Sequence, residues 1–333
     1  GTPQAPKTNG KIALNNGEVK LTALENSIYN LNGEGTIEDN IITLKDFNGL
    51  MKSKNMAKFK TGFADFLERI FSRRIIDPNK PNIDLAGTID FNDIARPKID
   101  LSLQGKDIYI RTLLGEQEGI ADADIDIYGQ DTLIIDGDIL MKNFIVRNEF
   151  SAIGETYEEI EPTGVYTEIN LHLISPGNFF IRNNQIECEL EGEGWLFKSG
   201  NEDFKISGDF TVLDGTLYYF QWEFTDLAGN ILFLPNEINP SLDLQAKLDL
   251  AGGAIEQNQA TTVEANEDEI VTVYLTGDLE KPDLQFESEI YSQSDILRIL
   301  TFTYNDGEEG FTDKGLNAAT VYLQRNLNRQ VSK

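Results

Sequence analysis

The chain has 333 residues and a formal net charge of -28, from 56 acidic against 28 basic side chains. So acidic a surface repels phosphate backbones and argues against nucleic-acid binding, while a single cysteine and a single histidine leave no intrachain disulfide and no Cys/His metal cage. No stretch approaches the ~20 consecutive apolar residues of a membrane helix, no signal peptide is present, and the opening Gly1-Thr2-Pro3 without a methionine reads as a tag scar or as an excised piece of a longer protein.

Taken in chain order, residues 1–50 read as strands. Residues 52–74 then break the pattern, with Met56, Phe59, Phe63, Phe66, Leu67, Ile70 and Phe71 at the spacing of an amphipathic helix. Lys52, Lys54, Lys58, Lys60, Arg69, Arg73 and Arg74 face only Asp65 and Glu68, a net of +5 in an otherwise acidic chain. Such a helix can lie on anionic lipid; the plainer reading is a cap whose apolar face plugs a sheet and whose basic face meets acidic strands. With its connector it fills residues 51–80.

From 81 to 290 the dominant signal is alternation with period two, the mark of strands with one apolar and one wet face. Ile99, Leu101 and Leu103 alternate with Asp100 and Ser102; Ile125 and Ile127 with Asp124 and Asp126; Ile169, Leu171 and Leu173 with Asn170 and His172. Leu242, Leu244, Ala246 and Leu248 alternate with Asp243, Gln245 and Lys247, and Val271, Val273 and Leu275 with Thr272 and Tyr274. Asn15-Asn16-Gly17, Asn32-Gly33, Asp136-Gly137, Asp214-Gly215 and Ala228-Gly229-Asn230 read as turns between these strands. Residues 154–164 and 251–268 read as loops. From 291 to 333 the pattern is helical again: a short helix with Ser294 as N-cap and another near 315–330.

The expected fold is all-β and antiparallel, without the strand–helix alternation of parallel folds. Its apolar face needs a cover: a second sheet, closure on itself, or a guest such as acyl chains. Inward positions read as Ile, Leu, Val and Phe, without the Gly and Ala of small tight barrels. A membrane barrel is disfavoured by the polar helical ending and by strands that read as short for the ~9–11 residues of a span.

Sites of chemistry are few. His172 lies on a polar strand face with no second imidazole or thiol to join it, so a solvated histidine is the favoured reading. Cys188 is in phase with Ile186 and Leu190 and reads as a small apolar residue. Asp122, Asp124 and Asp126 share one strand face, but a straight ladder cannot wrap a calcium ion, and a solvated face is favoured. No phosphate loop, zinc helix or nucleophile elbow occurs, no cofactor is implied, and the chain reads as no enzyme.

The order of motifs from about residue 80 resembles the C-terminal region of the TamB-like translocation and assembly proteins. It begins with Pro97-Lys98-Ile99-Asp100-Leu101 and Ile108-Tyr109-Ile110. Ser207-Gly208-Asp209-Phe210 then leads into Asp214-Gly215-Thr216-Leu217, followed by Ala228-Gly229-Asn230-Ile231 and Asn239-Pro240-Ser241-Leu242-Asp243-Leu244. Val273-Tyr274-Leu275-Thr276-Gly277-Asp278-Leu279 and Asp295-Ile296-Leu297-Arg298-Ile299-Leu300 complete the series. Glu289-Ile290 stand where the family often has a proline, the 52–74 helix is no known feature of the family, and family members usually continue past the position of Lys333.

This resemblance implies an elongated, curved sheet (a β-taco) with an open, apolar groove and a few short capping helices. It implies a parent protein anchored in the inner membrane of a diderm bacterium and reaching across the periplasm. Its expected partners are phospholipid acyl chains, an outer-membrane barrel insertase with POTRA domains, and nascent outer-membrane proteins. The expected function is carriage of phospholipid between the membranes. The alternatives are a scaffold that receives nascent barrel strands by edge pairing, or a closed-core surface domain, an adhesion module or glycosidase. By alternation phase the lining residues are Ile99, Leu101, Leu103, Leu171, Leu242, Leu244, Leu248, Val271 and Val273. Replacing Leu244 by Asp is expected to impair lipid contact at modest cost to the fold.

Overall fold

The computed structural model describes residues 7–20, 24–52, 80–112, 116–147, 166–202, 204–219, 222–235, 239–249, 270–279 and 282–302. The expected helices at 52–74 and 315–330 and the loops at 154–164 and 251–268 lie outside the described residues, apart from Lys52, whose Nζ donates to the Lys80 carbonyl at 2.7 Å.

Among the described residues, fourteen strands form one sheet in which neighbours in sequence are neighbours in space. They are β1 (Gly10–Lys20), β2 (Ser27–Glu38), β3 (Ile41–Leu50), β4 (Ile83–Asp90), β5 (Lys98–Arg111), β6 (Gln117–Gly129), β7 (Thr132–Val146), β8 (Tyr166–Arg182), β9 (Ile186–Ser199), β10 (Lys205–Tyr219), β11 (Trp222–Phe233), β12 (Ser241–Asp249), β13 (Ile270–Asp278) and β14 (Asp283–Glu287), followed by α1 (Gln293–Phe302). Among the described residues the sheet is an unclosed antiparallel meander with β1 and β14 as its two edges. Chain contacts divide it into unit 1 (Gly1–Phe144, Ile160–Leu173, Phe197–Glu202) and unit 2 (Ile145–Glu159, Ile174–Leu196, Asp203–Lys333).

The strands are longer than the sequence suggests, up to 17 residues in β8, so length was no argument against a barrel; the unclosed strand order among the described residues is. The reason is that the five supposed turns lie inside strands. Asn15-Asn16-Gly17 is a bulge: the register of β1 shifts between Leu14 and Gly17, and Asn16 takes a φ of 56°. Asn30, Asp46, Asp107 and Asp226 do the same in β2, β3, β5 and β11, each with φ between 50° and 55° at a register shift. Asn and Asp tolerate this left-handed conformation, and the extra residue bends and twists the strand. Gly229 is a different device: it faces Leu244 in register, with φ 135°. Glycine therefore does occur on the inward face, as do Ala121, Ala123 and Ala246, and these small residues let neighbouring backbones approach closely.

In unit 1 the sheet tapers at one end. β4 begins at Ile83, and just beyond it Asn82 fills the gap between β3 and β5. Its Oδ1 accepts the Met51 N–H at 2.8 Å and its Nδ2 donates to the Asp107 carbonyl at 3.1 Å. Past Asn82, Tyr109 of β5 donates its N–H directly to the Met51 carbonyl at 2.9 Å. Further on, the lead-in to β2 pairs with β5. The Glu25 N–H meets the Arg111 carbonyl at 2.9 Å, and the Asn26 amide bridges the Tyr109 carbonyl at 2.6 Å and the Arg111 N–H at 3.0 Å. Two strands thus drop out in turn, and the sheet curls over its own apolar face. Ile28, Leu31, Phe47, Met51, Ile83, Ile108, Ala121 and Ala123 form the resulting core, each no more than 6% exposed.

Unit 2 has its own core. Trp222, Phe224, Leu227 and Ile231 of β11 pack with alternate residues of β9, β10, β12 and β13 and with α1. The N-cap of α1 is Ser292, two residues before the expected Ser294: its Oγ accepts the Asp295 N–H at 3.3 Å, the pairing of a first-turn donor with a capping hydroxyl.

Candidate functional site

The inward faces of the two units differ in how they are covered. In unit 1 the register stacks apolar residues into rungs across three or four strands. Ile37 faces Ile42, Ile42 faces Ile89, and Ile89 faces Ile99. At a strand spacing of roughly 4.8 Å this row is about 14 Å wide. The next rung runs Leu44, Gly87, Leu101, Ile127, and the third Phe47, Leu85, Leu103, Ile125. A fourth, Ile83, Gly105, Ala123, is buried.

Exposure grades along this ladder. At the tapered end Ile83 is 1% and Ile108 is 4% exposed. Leu103 and Ile125 pack against that core while only half-buried. Leu101, Ile127, Ile99, Ile89, Ile42 and Ile37 are half-buried throughout. Leaving aliphatic area in water costs about 25 cal/mol per Å², and a contiguous apolar surface of this kind marks a binding face.

The nine expected lining residues fall into separate settings. Ile99, Leu101 and Leu103 lie in consecutive rungs of unit 1. Leu171 is half-buried on β8, also in unit 1. Leu242, Leu244, Leu248, Val271 and Val273 come together in the dry core of unit 2, none more than 5% exposed. An aspartate at Leu244 would therefore be an unpaired buried carboxylate, and the expected modest cost to the fold is revised upward. Ile37, Ile42, Leu85 and Ile89 belong to the rungs but were not selected from sequence. Their alternation is interrupted by glycine, bulges and the break after β3, and only the cross-strand register reveals them.

The outward face carries the charge. Asp84, Asp100, Asp124 and Asp126 are exposed. Asp122 is held by Lys142 at 2.6 Å, and Lys142 also reaches Asp107 at 2.8 Å. Partial burial alone would lower the Lys142 pKa, but the hydrogen bonds it donates to Asp107 and Asp122 outweigh this and raise the value. No group of three or more metal-ligating side chains occurs among the described residues. His172 Nδ1 lies 2.9 Å from Asp138 Oδ1. Cys188 is 1% exposed, and burial pushes its thiol pKa up to about 12, which removes the thiolate needed for reactivity. Among the described residues, the arrangement offers hydrocarbon surface and fixed shape.

A search among curated proteins returned no match. The model of one family, the TamB C-terminal domain, matches residues 71–333, a span that holds β4 to β14, α1 and most of the apolar rungs. The chain therefore belongs to the TamB family, whose members serve outer-membrane biogenesis in the cell envelope as translocation and assembly modules rather than as enzymes.

Proposed function

We propose that the rungs of unit 1 hold phospholipid acyl chains, and that the chain carries lipid between the inner and outer membranes as the periplasmic part of an inner-membrane-anchored protein. The observation that carries this reading is the half-buried row Ile37–Ile42–Ile89–Ile99, followed by two further apolar rows in register that are half-buried apart from Phe47. Each acyl methylene that leaves water against them gains about 0.8 kcal/mol. Successive rungs are chemically alike, so a chain can step from one to the next without a covalent step. Family membership supports the envelope setting and a barrel partner in the outer membrane.

The test is site-specific photo-crosslinking in the native envelope, with the probe at Ile99 and, as control, at Asp100 on the opposite face. Lipid adducts at Ile99 and none at Asp100 are the expected result; equal labelling, or none at Ile99, defeats the reading.

One observation favours a second reading, receipt of nascent barrel strands. β1 is an 11-residue edge strand exposed along nearly its whole length, the template that strand addition needs. Its bulges and its Lys11 and Lys20 are, however, the usual guards of an edge. Protein adducts from probes along β1, with none to lipid at Ile99, would favour it.

A further inference from the structure

At the open end of the unit 1 ladder, residues 91–97 join the two strands that carry Ile89 and Ile99. This loop, Phe91-Asn92-Asp93-Ile94-Ala95-Arg96-Pro97, is apolar at four of its seven positions. Ile94 is 80% exposed, more than any other large apolar side chain among the described residues, and Ala95 beside it is exposed too. A lone exposed aliphatic residue is ordinary; this one stands on a loop tied down from both sides. The Phe91 N–H donates to the Asn40 carbonyl at 3.0 Å, and Asn40 Nδ2 to Asn92 Oδ1 at 3.2 Å. Asp93 Oδ1 accepts the Ala95 N–H at 3.1 Å. On the other side Gln130 Nε2 donates to the Arg96 carbonyl at 2.9 Å, and the Arg96 guanidinium meets Asp131 at 3.1 Å. The tip is therefore ordered before it meets a partner, and docking costs it little conformational entropy.

Charge narrows the choice of partner. The outward sheet face carries the exposed carboxylates Asp84, Asp100, Asp124 and Asp126, but at the tip Arg96 is paired with Asp93 and Asp131. Lys98, just past the loop, is exposed and makes no ion pair among the described residues. Tyr128, 39% exposed, lies near the end of β6 beside the Gln130–Asp131 turn. An apolar point, a tyrosine and nearly balanced charge match the interface of a zwitterionic bilayer, where tyrosine sits at headgroup level above the acyl chains. We infer that loop 91–97 is a membrane-docking tip, with Ile94 entering the acyl boundary of a bilayer and Lys98 lying at the level of the phosphates. The tip brings the open end of the ladder to a lipid surface, so the inference rests on the reading of the unit 1 rungs as an acyl-chain surface.

The test is flotation of the full chain with vesicles of phosphatidylcholine and phosphatidylethanolamine, together with photo-crosslinking to the same vesicles from a probe at Ile99. Ile94→Asp is expected to lower the floated fraction several-fold, and Ile94→Leu to keep it. Position 94 faces solvent, so both variants should retain the β-sheet circular dichroism of the parent chain. Equal flotation of Ile94→Asp and the parent, or no flotation of the parent, overturns the docking tip; lipid adducts at Ile99 then leave the rung reading standing. A probe at Ile94 in the native envelope that yields protein adducts and none to lipid also overturns it, in favour of a pocket on a partner protein. Absence of lipid adducts at Ile99 removes the rung reading, and this inference with it.

Discussion

A side-chain carbon on Gly229 would stand 2.1 Å from the carbonyl oxygen of Asp243, on the strand that pairs with it. With φ at 135° as well, Gly229 is both conformationally and sterically obligatory. Gly229→Ala is expected to cost at least ~2 kcal/mol, the order of one strained backbone residue together with a backbone shift. Gly10, with nothing within 4 Å of its absent side chain, is the control, and Gly10→Ala should change stability by less than about 0.5 kcal/mol. Urea midpoints at constant slope check both.

Asn82 does the work of a missing strand between β3 and β5, through its bonds to Met51 and Asp107. Asn82→Ala leaves the Met51 N–H without that acceptor and should destabilise by roughly 1–3 kcal/mol. Amide hydrogen exchange offers the sharper check: faster exchange at Met51 and Tyr109 is expected, with little change at the β12 amides.

Truncation separates the dry face from the half-open one. Leu248→Ala, at a fully buried position, should cost about 2–5 kcal/mol. Ile99→Ala, at a half-buried rung, removes less buried hydrocarbon and should cost about 1 kcal/mol. Similar losses at the two sites would mean that the rungs of unit 1 are packed as tightly as the core of unit 2.

The thiol of Cys188 should not react with a neutral maleimide at pH 8 in the folded chain and should react once urea unfolds it. The pH dependence follows from its raised value of about 12 against 9.0 for an ordinary thiol. Between these values the unfolded state has released the proton and the folded state has not. This contribution to stability is constant below about pH 9 and falls as pH rises toward 12. A Cys188→Ala chain should lose that alkaline component of its stability profile, as urea titrations at pH 8 and pH 10.5 would show.

Much of the fold is legible from phase alone. Ile99, Leu101 and Leu103, or Leu242 and Leu244, declare an inward face because a strand turns its side chains by half a revolution per residue. The turns were misplaced because Asp-Gly and Asn-Gly announce only a backbone that departs from ordinary strand angles. Hairpins, bulges and close strand approaches all require such a departure, and in Asn16-Gly17 and Ala228-Gly229 it was a bulge and a close approach. The candidate site was half legible for a related reason. Ile99 and Leu244 alternate identically, yet one is half-open and the other sealed. The difference comes from what lies over them, the α1 helix and the local curl of the sheet, which no neighbouring residue encodes.

The taper of unit 1 also gives its ladder a direction. With β4 beginning at Ile83 and β3 ending at Leu50, the rungs finish against a wall of side chains at Ile83 and Ile108. Among the described residues of that unit, a hydrocarbon guest of the proposed kind would meet an opening on the Ile99 side and a dead end opposite. On the proposed reading, traffic over these rungs would enter and leave by the same mouth or pass sideways from strand to strand.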